Sequence, residues 1–205
     1  AMRYVSLSPI FNREYVFFPI YDRNLVLLYY FGRNCFGKEP RYINPTNWYL
    51  EDKPFLFNMD FLEPLDTDTV LVTEGAFNIM TPKLPGVALL GKTMTASQEL
   101  LLVQNWKRFI IWLDKGAEKE SEEIQGRLLR WSNNPDNCCI ISNESDLDAS
   151  AMGETVAKRY LMGHLTNLNM PMHDAFFRML QHYNVEEGCS WAGQKESQED
   201  QEKQQ

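Results

Sequence analysis

Four cysteines in 205 residues, two of them adjacent, leave little material for a metal ribbon or a disulfide framework. Cys35, Cys138, Cys139 and Cys189 contain no C-x-x-C pair, and free thiols are the expectation. Long apolar runs are missing as well. No stretch of 18 or more apolar residues occurs, and residues 1–20 lack the basic-then-apolar plan of a signal peptide. The expected location is therefore the cytoplasm, with no membrane partner. Net positive charge is absent too: a formal charge of -8 excludes a whole-molecule electrostatic grip on nucleic acid, because counterion release needs clustered Lys and Arg. No internal repeat is evident.

What is present suffices for one substantial domain or a domain with a subdomain, since 44% of the residues are hydrophobic. The overall charge conceals a local balance. Residues 1–60 carry seven Lys/Arg against six Asp/Glu, whereas residues 194–205 are acidic, Gln-rich and nearly free of apolar side chains. That last stretch reads as a disordered tail. Without it, the basic residues of the first third are numerous enough for a local groove.

The first third reads as antiparallel β, with a hairpin of Tyr15 to Tyr21 and Leu25 to Phe31, ended by Gly32. The prolines of Gly37 to Pro45 forbid a long helix there and imply an extended, basic connection. From Thr69 onward, strands and helices alternate. The expected order is strand 69–73, helix 76–81, strand 87–90, helix 95–105, strand 108–113, helix 117–131, strand 138–142 and helix 150–162. Thr95 followed by Ala96-Ser97-Gln98-Glu99 is a capping signal for its helix. A last amphipathic helix is expected over 170–184. The fold class is thus α/β, a small parallel sheet with helices on both faces, preceded by a mainly β subdomain.

Two of the apolar strands end on carboxylates: Thr69 to Thr73 runs into Glu74-Gly75, and Phe109 to Leu113 runs into Asp114. The carboxyl ends of parallel strands form the ligand edge in such folds, so the two acids are expected side by side. At about 4 Å and an effective dielectric near 20 they would repel by roughly 4 kcal/mol, unless a cation or a shared proton relieves them. Asp146 and Asp148 after the fourth strand extend the acidic edge. A hard divalent cation such as Mg2+ or Mn2+ suits such a set of oxygens. For Asp148 alone, capping of the following helix is an equal alternative.

With these residues in place, the chain resembles the Toprim domain, and more closely the catalytic core of bacterial DnaG-type and phage primases. The acid-glycine motif after a first strand, an aspartate motif after a later one and further acids after the next are matched by Glu74-Gly75, Asp114 and Asp146/Asp148. Upstream, Val16 to Asp22, Phe31-Gly32-Arg33, Pro40 to Pro45 and Lys53 to Asn58 resemble successive signatures of the primase subdomain that precedes Toprim. The similarity covers roughly residues 13–162. It implies a β-rich primase-like subdomain over 1–66, a Toprim domain over 67–163, a helical segment over 164–193 and the tail over 194–205.

The resemblance further implies RNA primer synthesis on single-stranded DNA from ribonucleoside triphosphates, in phage replication within a host cytoplasm. A replicative helicase or another replication protein is the expected partner. Glu74 and Asp114 would be catalytic, and Glu74, Asp114, Asp146 and Asp148 would hold the metal. Arg33, Arg41, Lys53 and Lys92 would position phosphates, a task for which Arg offers a fork and Lys a flexible point charge.

Two departures from the family stand out: Gly116 replaces the second aspartate of a D-x-D pair, and Asn78 replaces an acid four residues after Glu74. They keep open a catalytically reduced protein that binds DNA or another protein. A Toprim nuclease is a third reading, against which the upstream primase signatures weigh. Gly86 to Thr93 satisfies the P-loop expression G-x-x-x-x-G-K-T, but its apolar centre is itself an expected strand, so no phosphate-wrapping loop is expected. His164, His173 and His182 lack metal-ligand spacing, and Trp48 beside Tyr49 is a weak platform for a base.

Overall fold

Aromatic and aliphatic residues crowd residues 15–34, and in the computed structural model they build a twisted antiparallel sheet. The structure describes residues 10–12, 14–21, 24, 26–45, 52–62, 68–143, 148–167, 174 and 176–180. The sheet is ordered β1 (Ile10–Asn12), β2 (Tyr15–Tyr21), β3 (Leu27–Asn34) and β4 (Tyr42–Ile43). Phe18 stacks on Phe31 with ring centroids 4.9 Å apart. Gly32 does not end the strand as expected. It lies within β3 opposite Phe17, where an added Cβ would stand 2.9 Å from the ring, so a missing side chain makes room for an aromatic cross-strand neighbour. The extended connection is interrupted by β4, which pairs Arg33 with Tyr42.

The second sheet is wholly parallel. Its strands β5 (Thr69–Thr73), β6 (Gly86–Ala88), β7 (Arg108–Trp112) and β8 (Cys138–Ile140) lie in the order β6-β5-β7-β8. The intervening and flanking helices are α1 (Met59–Leu62), α2 (Phe77–Met80), α3 (Ala96–Asn105), α4 (Glu118–Leu129), α5 (Ala149–Met152) and α6 (Glu154–Asn167). Alternate strand residues feed two cores. Val70, Val72, Phe109 and Ile111 pack with Leu102 of α3 and Ile124 and Leu128 of α4. Leu71, Ile110, Trp112 and Cys139 pack with Leu161 and Leu165 of α6 and with Phe176. That both faces are covered explains why these strands are apolar throughout rather than alternating. Burial pushes the thiols of Cys138 and Cys139 up to about 12, as befits packing residues.

Most elements end a residue or two inside the expected bounds, β8 at Ile140 and α4 at Leu129 among them, and two depart for a visible backbone reason. Strand β6 stops at Ala88 because Leu90 (φ 55°) and Gly91 (φ 152°) turn the chain off the sheet. The helix expected over 150–162 is divided by Gly153, whose φ of 71° separates α5 from α6. Of the expected last helix, 174 and 176–180 are described and helical, while the rest of it, the tail, His173, His182, Trp48 and Tyr49 lie outside the described residues. Among the described residues no helix is long and apolar enough to cross a membrane.

The two sheets are joined by residues 52–58, which run along the free edge of β6. Phe57 and Ala88 exchange backbone hydrogen bonds of 3.0 and 3.2 Å, and the Asn58 amide donates to the Gly86 carbonyl at 2.8 Å. Buried Gln98 donates from Nε2 to the carbonyls of both Phe55 and Leu89, while its Oε1 accepts from the Thr95 N–H in the capping box that begins α3. On the other side, Phe77 of α2 packs edge-on against Phe18 and Phe31. Helix α2 is thereby held between the sheets, next to the carboxyl ends of β5 and β7.

Candidate active site

The register of the parallel sheet pairs Thr73 with Trp112, so the residues after these strands emerge side by side. Glu74 leaves β5 and Asp114 follows β7 by two residues, as their positions in the sequence imply. The Asp114 backbone N–H lies near enough to the Glu74 carboxylate to favour its charged form. Its Oε2 is buried without a hydrogen-bond partner. Burial pushes the Glu74 carboxyl above its ordinary range, the Asp114 charge adds to the shift, and Lys92 opposes it. Asp114 is also raised, by burial first; the Asn78 hydrogen bond and Lys92 pull it down, while Asp148 pushes it up. The Asn78 Nδ2 donates to Asp114 Oδ1 at 2.5 Å. Where the family often has an acid, it is thus an amide nitrogen that faces Asp114.

Asp148 stands close enough for its charge to act on Asp114, yet it also caps α5: its Oδ1 accepts from the Ala151 N–H at 2.8 Å and from the Ser150 hydroxyl at 2.6 Å. The capping alternative raised for it is the one these bonds express. Asp146 lies outside the described residues. Gly116 is exposed in a turn with φ 86°, its N–H donating to the Glu118 carboxylate. Among the described residues, no group of three or more His, Cys, Asp or Glu side chains converges on one metal position. The donor chemistry still suits a hard cation, because an unpartnered buried carboxylate oxygen beside a second carboxylate is what a cation would satisfy.

The four basic residues fall into different settings. Lys92 is exposed, and its charge reaches both Glu74 and Asp114. Lys53 turns inward: its ammonium donates to the Leu90 carbonyl at 2.5 Å and the Leu89 carbonyl at 3.4 Å, and burial lowers its pKa. It therefore braces the turn from which Lys92 projects. The Arg33 guanidinium lies 4.4 Å from the centroid of the Tyr42 ring and 5.4 Å from that of Phe77. Arg41 is exposed one residue before β4, its carbonyl accepting from the Asn34 N–H at 3.0 Å.

Tyr42 and Phe77 were not singled out by sequence reasoning. Tyr42 is held above its ordinary value by burial, with Arg33 and Arg41 opposing and Asp148 and Asp114 adding, so this aromatic face and the acidic edge share one field. The only sequence signal is an aromatic between Arg41 and Ile43 in a strand-like run. The P-loop expression is not a loop here, since Gly86–Ala88 is strand β6.

No protein-family model matches the chain, and no curated protein matches it in sequence. Solved structures do match in fold. The E. coli primase catalytic core superposes with a TM-score of 0.59 at 19% identity, covering 80% of this chain and 61% of that one. A DnaG primase catalytic domain described as bound to ssDNA gives 0.61 at 20%, covering 82% and 58%. A DNA primase domain from Pseudomonas aeruginosa gives 0.58 at 17%, covering 80% and 59%. The chain spans about three fifths of the length of each of these. An antiparallel sheet followed by a four-stranded parallel sheet flanked by helices is common ground with them: the chain has the fold of the DnaG primase catalytic cores, Toprim domain included.

Proposed function

We propose that the chain is the catalytic core of a primase-like protein of phage DNA replication, which makes RNA primers on single-stranded DNA by metal-assisted nucleotidyl transfer. It acts in the host cytoplasm beside a replicative helicase or another replication protein. The observation that carries the reading is the half-buried pair Glu74 and Asp114 on a primase-core fold, with one Glu74 oxygen buried and unpartnered. Glu74 and Asp114, joined by Asp146 and Asp148, would hold Mg2+ or Mn2+. When bound, the cation polarises the α-phosphorus and offsets the charge of departing pyrophosphate.

The residues of the chain do the remaining work. Arg33, Arg41 and Lys92 bind the triphosphate and the template backbone; Arg33, laid across Tyr42 and Phe77, starts from a restricted set of rotamers and so loses less freedom on engaging phosphate. Lys53 serves this binding by fixing the turn that carries Lys92. The 3′ hydroxyl oxygen of one nucleotide bonds the α-phosphorus of the next as the bond to the bridging oxygen breaks. Glu74, whose carboxyl is held above its ordinary range, takes the hydroxyl proton.

Primer synthesis on single-stranded DNA with labelled ribonucleotides and Mg2+ or Mn2+ tests the reading. Wild type should extend products that Glu74→Gln abolishes; products that survive in Glu74→Gln would refute the assignment. One observation favours a second reading, a catalytically reduced binding module: Gly116 offers no side chain where the family has a metal aspartate. In that case wild type makes no primer yet retains a fluorescent single-stranded oligonucleotide or a replication protein.

A further inference from the structure

Asn78 is 5% exposed, and the short helix that carries it has no freedom to drift. Its flanking residues are anchored on opposite sides: Phe77 against Phe18 and Phe31 of the antiparallel sheet, and Ile79, 1% exposed, inside the molecule. Its backbone N–H is tied to the Gly75 carbonyl at 3.1 Å. The side-chain amide therefore reaches Asp114 from a rigid mount, and a donor on a carboxylate is a charge-assisted hydrogen bond with strong directional preference. Asp114 in turn stands close enough to Glu74 for its backbone N–H and its charge both to act on that carboxylate. The orientation of the Asp114 carboxylate thus depends on Asn78, and Glu74 stands in the field of Asp114.

We infer that Asn78 is a positioning residue for the cation site: by engaging Asp114 Oδ1 it fixes that carboxylate, and leaves the second oxygen as the one offered to a divalent cation. The inference rests on the primase-like reading of the site. An acid at position 78 would instead crowd a further negative charge against Asp114 and compete for the cation directly. The amide supplies orientation with no added charge, so the Glu74 and Asp114 pair keeps its shape without a cation present. Partners that orient metal ligands in this way are typically worth about 10-fold to 100-fold in metal affinity.

The test is Mn2+ binding to the full chain, followed by the loss of the free-ion electron paramagnetic resonance signal and paired with thermal unfolding. Asn78→Ala is expected to weaken Mn2+ binding about tenfold or more. Asn78→Asp, which keeps the shape but exchanges the donor for a charge, is expected to unfold at a lower temperature in chelator and to regain stability when Mn2+ is added. A purely structural role would lower the unfolding temperature of both variants while Mn2+ affinity stayed put. A folded Asn78→Ala with wild-type affinity overturns the inference; so does Asn78→Asp with stability that ignores Mn2+, which keeps the test decisive if the alanine variant fails to fold. If wild type and Glu74→Gln bind Mn2+ equally, the reading of the site falls and the inference with it. If Glu74→Gln loses affinity and neither Asn78 variant does, the inference alone falls.

Discussion

Replacing Glu74 with glutamine is expected to stabilise the cation-free protein, an unusual outcome for a change at a functional site. The cost removed is that of a charged oxygen, Oε2, buried without a partner beside the Asp114 charge. An unsatisfied buried polar group costs about 1–3 kcal/mol. Because the side chain is only half removed from solvent and the glutamine amide leaves a polar atom in the same place, the low end applies, a gain of about 1 kcal/mol. In a chain of this size that raises the unfolding temperature by about 2–4 °C. The pH dependence gives the effect its signature. A carboxyl raised in the folded state binds more protons there than in the unfolded chain, so wild-type stability falls as pH rises above the ordinary glutamate value of 4.5 and through the raised folded-state value. Below that window both states are protonated and the two proteins should melt alike. Thermal unfolding by circular dichroism in chelator, from pH 4 to pH 7.5, measures the difference directly. Added Mg2+ should reverse the order at pH 7.5, raising wild type and leaving Glu74→Gln unchanged. A glutamine variant less stable than wild type at pH 7.5 in chelator, or a difference constant with pH, would refute the reasoning.

Asp148→Ala removes the acceptor for the Ala151 N–H and the Ser150 hydroxyl, and should cost about 0.5–2 kcal/mol, whereas Asp148→Asn keeps a capping oxygen and should melt with wild type. Gly86→Ala would set a Cβ 2.8 Å from the Leu71 carbonyl oxygen, a backbone atom that cannot swing away, so the urea midpoint should fall by the equivalent of about 1–3 kcal/mol with an unchanged slope. Lys53→Met keeps the aliphatic stem but leaves the Leu90 carbonyl without its ammonium donor; a loss of about 1–2 kcal/mol in thermal or urea unfolding is expected, and a wild-type melting temperature would show that the bond to Leu90 carries nothing.

The parallel sheet was legible because each of its strands is an apolar run covered on both faces, and covered strands need no alternation to be recognised. Where the boundaries moved, a backbone conformation decided. Leu90 in the left-handed region ends β6 two residues early, and leucine carries no local sign of that; Gly153 does carry one, but a glycine inside a helical pattern reads equally as a tolerated weak residue. Gly32 misled in the opposite direction, since a glycine after an aromatic run looks like a stop until the Phe17 ring across the strand pair is known to need its space.

In the candidate site, the acids could be located from sequence because the strands that end on them fix where they emerge. Their partners could not. The Asn78 to Asp114 bond joins residues 36 apart, and the bond from Lys53 to Leu90 joins residues 37 apart, so nothing local tells an inward lysine from one aimed at phosphate. Gly116 shows the limit most sharply. The letter alone says that a carboxylate is missing; the φ of 86° says that the backbone has taken a form in which a side chain is strained. Aspartate tolerates that region better than most residues, at a cost on the order of 1 kcal/mol, and open space surrounds the position, so Gly116→Asp is within reach of the fold. Its carboxylate would nonetheless be presented from a left-handed turn whose N–H is already committed to Glu118. A wild-type urea midpoint for Gly116→Asp would show that the turn accepts the side chain at little cost, and a fall equivalent to more than about 2 kcal/mol would show that the left-handed backbone excludes it.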